Sequence, residues 1–159
     1  MSFTNINTVA EAKEIFQRLS IDNQLAFLWF VYTKIGKSVT PAAPGAAGSE
    51  IAGKLFNRVK QLSHEEQLQV QRDIANRKST EFSREYGSLS PETKLAFWYY
   101  LAQGMEAGTI IPMPENYQLP TEGTNLLGEV EAMDFNDQID FLRDSVLEMG
   151  APPAQGARV

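Results

Sequence analysis

The chain repeats one short pattern four times, and this repeat constrains the fold more than any other feature of the sequence. In each copy an apolar residue precedes serine or aspartate, and a glutamine or lysine followed by further apolar residues comes four positions later. The copies begin at Leu19, Leu62, Leu89 and Met133. The interval from the first copy to the third matches the interval from the second to the fourth to within a single position. A near-constant period of this kind indicates an internal duplication of one structural unit.

Each copy has the residue types that start a helix. The side-chain oxygen of serine or aspartate accepts a hydrogen bond from the free backbone N–H groups of a helix's first turn. Glu66 completes a capping box in the second copy, and Pro91 stands in the third copy at a first helical position that needs no donor. The pattern therefore predicts four equivalent helices in two related halves, capped by Ser20, Ser63, Ser90 and Asp134.

Three further helices are predicted between these starts, over residues 8–19 with Thr8 as the cap, from Ser49 onward, and over residues 126–133. No run of alternating apolar and polar residues has the length of a strand, so the predicted fold class is all-α. Residues 1–150 are expected to form one helical domain. Residues 151–159, rich in alanine, proline and glycine, are expected to be a disordered tail.

Composition excludes several classes of function. The chain has no cysteine, which rules out disulfides, thiolate metal sites and a cysteine nucleophile. Its net charge of −6 argues against nucleic-acid binding, which requires a basic surface. The only histidine, His64, is expected to be an exposed first-turn residue, and no common catalytic motif is present, so we predict that the protein is not an enzyme. No segment has the roughly 20 apolar residues of a membrane span, which favours a cytoplasmic protein.

An aromatic stripe follows the same helix in both halves, and each copy carries one of the two tryptophans. Periodicity alone favours an ordinary helical core. However, small residues such as Ala102 leave volume that close packing would otherwise fill, so a ligand site stays open as an alternative. The stripe occupies positions i, i+3, i+4, i+7 and i+10, namely Leu25, Leu28, Trp29, Tyr32 and Ile35 in the first copy and Leu95, Trp98, Tyr99, Ala102 and Met105 in the second.

Several long motifs resemble, in the same order, the N-terminal domain of orange carotenoid proteins. The resemblance extends over residues 8–150. It implies two interleaved four-helix bundles with a ketocarotenoid held between them without a covalent bond, of the canthaxanthin, echinenone or 3'-hydroxyechinenone class. The motifs are Leu25–Lys37, Ala42–Ala47, Ala75–Arg77, Lys94–Tyr99 and Asp140–Arg143.

The resemblance also implies site residues. Arg143 matches an arginine that joins the two domains of full-length family members and contributes to docking on the phycobilisome, the light-harvesting antenna. Pro41 and Gln71 depart from the family, which has Ile and Met there, so contacts with the ligand should differ at these points. The predicted carotenoid-binding residues are Leu25, Leu28, Trp29, Tyr32, Pro41, Leu95, Trp98, Tyr99, Ala102, Met105, Met113, Tyr117 and Ile139.

Three functions remain open on the sequence. The first is photoprotection by a bound carotenoid that quenches singlet oxygen. The second is constitutive quenching of phycobilisome excitation, for which Arg143 and the basic stretch 54–84 would provide a docking surface at the thylakoid-associated antenna. The third is a pigment-free helical interaction module. The family's C-terminal domain has no counterpart here, so we expect a stand-alone helical carotenoid protein without light switching by domain separation. A separate carotenoid carrier similar to that domain is an expected partner.

Overall fold

The chain is all-helical in the computed structural model, which describes the backbone of residues 5–36 and 46–152 and the side chains of residues 8–35 and 50–152. No strand occurs among the described residues, so the predicted fold class is confirmed. A π-helical turn, Tyr32–Gly36, directly extends the second helix. The helices are α1 (Asn5–Arg18), α2 (Ile21–Val31), α3 (Ala46–Lys60), α4 (His64–Ala75), α5 (Glu81–Gly87), α6 (Pro91–Ala107), α7 (Thr121–Ala132) and α8 (Phe135–Leu147).

The four copies of the repeat begin α2, α4, α6 and α8, as predicted. In each, the side-chain oxygen of the cap residue accepts from the backbone N–H three positions later, over 2.8 to 3.2 Å. Ser63 and Glu66 form the complete capping box. The caps therefore satisfy first-turn donors that a bare helix end would leave unpaired.

The repeated glutamines have a second role that the sequence did not reveal. Gln24, Gln67 and Gln138 are buried, and each amide nitrogen donates to carbonyls at the end of the preceding helix, over 3.1 to 3.5 Å. The last carbonyls of a helix lack the N–H partners that a further turn would provide, so these side chains supply donors that the helix end is short of. Lys94 occupies this position in the third copy and donates instead to the Leu147 carbonyl at the end of α8, over 2.7 Å. The repeat thus joins the end of one helix to the start of another.

The three helix starts predicted outside the repeat were wrong. Helix α1 begins at Asn5, so Thr8 is inside it, and α3 begins at Ala46, before Ser49. Helix α7 begins at Thr121, and Pro120 in its cap position makes no side-chain hydrogen bond. The first turn of α7 is polar and carries no apolar periodicity, so only packing in the folded chain could identify it.

The helix contacts combine elements from both halves of the duplication. Helix α1 packs on α7 and α8, and α2 packs on α7; α3 packs on α4, α5 and α6. The two groups meet where α2 contacts α4 and where α6 contacts α8. Phe16, Phe27 and Phe141 pack edge to face within the first group, with ring centroids 5.8 to 6.2 Å apart. Such contacts are those expected of two interleaved four-helix bundles. The interleaving itself stays a prediction.

The packed part of the chain extends past residue 150, although we predicted a disordered tail from residue 151 onward. Ala151 is buried, and its N–H lies within hydrogen-bonding distance of both oxygens of Ser83. A Cβ on Gly87 would lie 1.9 Å from the Ala151 carbonyl oxygen, so only glycine allows this approach. Residues 153–159 of the predicted tail lie outside the described residues. Within the part of the chain that the structure describes, no helix is both long and apolar enough to cross a membrane.

Candidate functional site

Two adjoining cavities lie where the two groups of helices meet. The first has a volume of about 60 Å³ and the second about 150 Å³. Leu25, Gln71 and Met105 belong to the walls of both. The shared residues place the two mostly apolar cavities side by side, and we refer to the pair as the channel.

Most of the predicted ligand-binding residues line this channel. The first cavity is formed chiefly by α2 and α6, the two copies of the helix that carries the aromatic stripe, because the stripe spacing places its members on one face of each helix. The second cavity adds Met113 and Tyr117 from the segment between α6 and α7. The predicted residues in the first cavity are Leu25, Leu28, Trp29, Tyr32, Leu95, Trp98, Tyr99, Ala102 and Met105.

Two predicted residues are not in the described channel wall. Ile139 is partly buried and packs against the core, outside both cavities. The α8 residues that do reach the first cavity are Leu142 and Val146, three and seven positions further along the same helix face. Pro41 lies outside the described residues.

Further wall residues were missed by the sequence analysis, among them Val31, Leu101 and Gln71, and in the second cavity Asp22, Leu68, Arg72, Ile111, Pro112 and Pro114. Val31 and Leu101 line the first cavity and are equivalent positions in the two halves of the duplication, so the repeat itself could have identified them. Gln71 differs from the methionine that the family has there and was not among the predicted binding residues, but it borders both cavities.

Aromatic rings from both repeat helices are packed together at the first cavity. Trp29 and Tyr32 are stacked, with centroids 5.7 Å apart and ring planes at 29°, and Tyr99 meets Tyr32 edge to face at 5.8 Å. The Tyr32 hydroxyl donates to Glu106 over 2.7 Å. Burial and the neighbouring Glu106 carboxylate raise the pKa of Tyr32 to about 12, so the ring stays neutral at ordinary pH.

Trp98 is fixed by a chain of buried hydrogen bonds. Its indole Nε1–H donates to the Tyr86 hydroxyl over 2.9 Å, and that hydroxyl donates to the Val146 carbonyl over 2.6 Å. Tyr86 is completely buried, which raises its pKa well above the ordinary value. One wall of the first cavity is thereby tied to α5 and α8.

Polar groups surround the second cavity and are paired with one another. Arg72 contacts Asp22 through Nε and Nη2, over 2.9 and 3.2 Å, and the Tyr117 hydroxyl donates to Asn23 over 2.5 Å. Burial, and then the Asp22 charge, raise the pKa of Tyr117. These pairs leave the cavity itself largely apolar.

The segment that follows α6 is held at the second cavity by Gln67. Its Oε1 accepts from the Ile111 backbone N–H over 2.8 Å, and its Nε2 donates to the Thr109 carbonyl over 3.1 Å. This places Ile111, Pro112 and Met113 in the cavity wall.

Arg143, the predicted partner-binding residue, lies on α8 and has carboxylate partners within the chain. Its Nη2 is 2.8 Å from Asp140, and its Nη1 is 3.7 Å from Glu92. About a third of its side chain is exposed. Docking through Arg143 would have to compete with these two carboxylates.

The channel's chemistry is that of a binding site for an elongated apolar molecule. Aromatic and aliphatic side chains form its walls, and few polar groups face it. Among the described residues, no three potential metal-ligating side chains come together. His64 is exposed, as predicted.

Comparison with known proteins agrees with this geometry. Residues 3–152 match the family model described as "Orange carotenoid protein, N-terminal". An orange carotenoid-binding domain-containing protein of Nostoc sp. (strain PCC 7120) is 48% identical over 147 residues, covering 92% of this chain and 86% of that protein. The orange carotenoid-binding protein of Limnospira maxima is 40% identical over 85% of this chain, and the match covers only 43% of that longer protein.

Two solved structures have the same fold. The red carotenoid protein of Anabaena (Nostoc) sp. PCC 7120 binding canthaxanthin is 46% identical, with a TM-score of 0.80 over 91% of this chain and 99% of that one. The orange carotenoid protein of the same organism binding canthaxanthin is 38% identical, with a TM-score of 0.85 over 95% of this chain and 48% of that one. With the family model matching nearly its whole length, the chain belongs to the family of orange carotenoid protein N-terminal domains.

Proposed function

We propose that this protein binds a ketocarotenoid non-covalently in the channel between its helices and acts in photoprotection, chiefly by quenching singlet oxygen. The observation that carries the proposal is the apolar channel built from the duplicated aromatic stripe. A similar protein, 46% identical over nearly its whole length, has been solved binding canthaxanthin.

The channel chemistry suits a rigid polyene. Burying several hundred Å² of apolar surface, at about 25 cal/mol per Å², contributes several kcal/mol of binding free energy without a covalent bond. The rings of Trp29, Tyr32 and Tyr99 offer flat surfaces at the first cavity. Aromatic surfaces of this kind add stacking contacts to the hydrophobic contribution.

Binding is expected to widen the channel. Both cavities are smaller than the roughly 300–1,000 Å³ typical of a small-molecule site, at about 60 and 150 Å³. Leu28, Trp29 and Met105 are only partly buried, so their side chains can rotate with less loss of core packing than Leu25 or Trp98. We expect these three side chains to move when the carotenoid enters.

Singlet-oxygen quenching requires only a bound polyene that a dissolved gas can approach. Trp29 and Tyr99 are partly exposed wall residues, as is Leu95, so the first cavity lies close to solvent. Contact with a carotenoid removes the excitation energy of singlet oxygen, and no docking partner is needed. The accessible aromatic end of the channel therefore favours scavenging over a function that requires a second protein.

The antenna-quenching alternative has less support from the charge distribution. Arg143 is paired with two carboxylates, and within the basic stretch Arg58 contacts Glu81 and Glu85. Charges already paired within the chain contribute less to attracting an acidic partner. We therefore expect weak or no quenching of isolated phycobilisomes.

The test is to purify the protein from carotenoid-producing cells and measure its visible spectrum and the lifetime of singlet-oxygen luminescence. We expect a blue-green absorption band and a lifetime shortened in proportion to bound pigment, with the pigment-free protein as control. Absence of the band would instead favour the pigment-free interaction module. A large, salt-sensitive loss of phycobilisome fluorescence on adding the loaded protein would support the antenna function.

A further inference from the structure

Gln71 is a buried amide in the wall of both cavities. It lies on α4, and only 5% of the residue is exposed. Its side chain makes no hydrogen bond to any residue that the structure describes, whereas the other buried glutamines, Gln24, Gln67 and Gln138, are all hydrogen-bonded. Gln71 is therefore a polar group facing an otherwise apolar channel at the junction of its two parts.

The amide atoms of Gln71 are not sealed off: among the described residues, the only buried side-chain polar atom without a partner is the Ser145 hydroxyl oxygen. The Gln71 amide therefore has access to open space, and the residue lines both cavities. Its NH₂ group has two donors and its oxygen is an acceptor. An apolar side chain of similar shape would line the same cavities but could offer no hydrogen bond to a ligand. The position thus favours a ligand that brings a polar atom to this depth.

We propose that Gln71 donates a hydrogen bond to the ring oxygen of the ketocarotenoid and thereby selects oxygenated carotenoids over hydrocarbon ones. This inference rests on the proposed function. The second cavity has the larger accessible volume, about 150 against about 60 Å³, and an end ring is bulkier than a polyene chain, so we place the ring in the second cavity. A keto oxygen is an acceptor only, and it requires a donor there.

Gln71 is the side chain best suited to provide that donor. The Tyr117 hydroxyl already donates to Asn23, and Arg72 already donates to Asp22 through two of its nitrogens. Using the Tyr117 hydroxyl would break its pair with Asn23, because a hydroxyl has one proton. Arg72 keeps unused N–H groups, but it borders only the second cavity, whereas Gln71 borders both. The Gln71 amide has no protein partner to lose among the described residues, so a hydrogen bond to the ligand costs no existing pair and contributes the modest net amount of a typical hydrogen bond.

The experiment compares two carotenoids of equal length that differ in their ring oxygens, canthaxanthin and β-carotene. Both are offered together to wild-type protein and to Gln71→Met, and the ratio bound is measured. We expect Gln71→Met to lower the canthaxanthin preference by about 3- to 10-fold, the amount expected for one net hydrogen bond. Gln69→Met is the matched control, because it makes the same change on the same helix at an exposed residue that lines neither cavity. Its ratio should stay near that of wild type.

Two further measurements remain informative if the variant binds poorly. The infrared carbonyl stretch of canthaxanthin bound to wild type should show one ring carbonyl at lowered frequency, as hydrogen bonding requires. Gln71→Met should also unfold at the same or a higher temperature without pigment, because the change breaks no hydrogen bond among the described residues and adds an apolar side chain at a largely buried position.

The possible results distinguish failure of the Gln71 hydrogen bond from failure of carotenoid binding itself. Binding of neither carotenoid by wild type would overturn the proposed function and this inference with it. Binding of both, with a ratio unchanged by Gln71→Met and no lowered carbonyl frequency, would overturn the inference alone.

Discussion

The indole N–H of Trp98 and the hydroxyl of Tyr86 form a hydrogen bond 2.9 Å long in the buried wall of the channel. The equivalent positions in the first half of the duplication are Leu28 and Phe16, which have neither group. The indole donor and its phenol acceptor thus occur together in one half and are absent together from the other. This pairing makes the two copies of the channel wall chemically different.

Removing the Tyr86 hydroxyl should destabilise the protein. In Tyr86→Phe, both the Trp98 N–H and the Val146 carbonyl lose a partner in the buried wall. An unsatisfied buried group costs about 1–3 kcal/mol, and we expect a loss of that size in the free energy of unfolding, measured by urea denaturation.

The double variant Tyr86→Phe/Trp98→Phe provides the control, because it removes donor and acceptor together. Its destabilisation should be smaller than the sum of the two single variants, since each single change already breaks the same hydrogen bond. Simple additivity would show that the 2.9 Å contact contributes nothing to stability.

The two tryptophans should differ when each is replaced by alanine. Trp98 is 7% exposed and hydrogen-bonded, so Trp98→Ala should cost about 3–5 kcal/mol of stability as well as pigment. Trp29 is only partly buried, so Trp29→Ala should lower carotenoid retention with a smaller loss of thermal stability. Pigment yield and the melting curve of the pigment-free protein are measured side by side. Normal pigment yield in Trp29→Ala would remove Trp29 from the binding site.

Gln67→Leu should affect both stability and pigment binding. The change leaves carbonyls at the end of α3 without their side-chain donor. It also removes two hydrogen bonds that hold the 109–111 segment, in which Ile111 lines the second cavity. We expect at least about 2 kcal/mol of destabilisation by urea denaturation and reduced carotenoid retention.

Gln24→Leu is the matched control for Gln67→Leu. Gln24 makes the same kind of contact with the end of α1 but lies in the wall of neither channel cavity. It should lose stability while keeping its carotenoid retention. Equal loss of pigment in both variants would show that retention follows stability alone.

The Tyr32 phenol should titrate unusually high. Burial and Glu106 raise its pKa to about 12, from an ordinary value of 10.0. A raised pKa means that the folded state keeps its proton longer than the unfolded state, so this contribution to stability is complete below pH 10 and is lost as pH rises towards 12. In Glu106→Gln the ultraviolet titration of Tyr32 should move towards 10 but remain above it, because burial persists. An unchanged titration would contradict the role of Glu106.

The sequence by itself determined the helical class, the duplication and the aromatic stripe that lines the first cavity. Capping by Ser20, Ser63, Ser90 and Asp134 is local chemistry, set by residues three positions apart. The aromatic stripe is also local, since helical spacing alone puts Trp29 and Tyr32 on one face. Such features can be read from neighbours along the chain.

Only the tertiary structure decided which faces meet. It brought Leu142 and Val146, rather than Ile139, to the first cavity, because the packing of α8 on α6 sets which turn faces inward. It also left the Gln71 amide unpaired among the described residues, while the repeated glutamines reached carbonyls of preceding helices. Hydrogen bonds and cavities between helices depend on relative positions in space, which helical periodicity and local spacing do not specify.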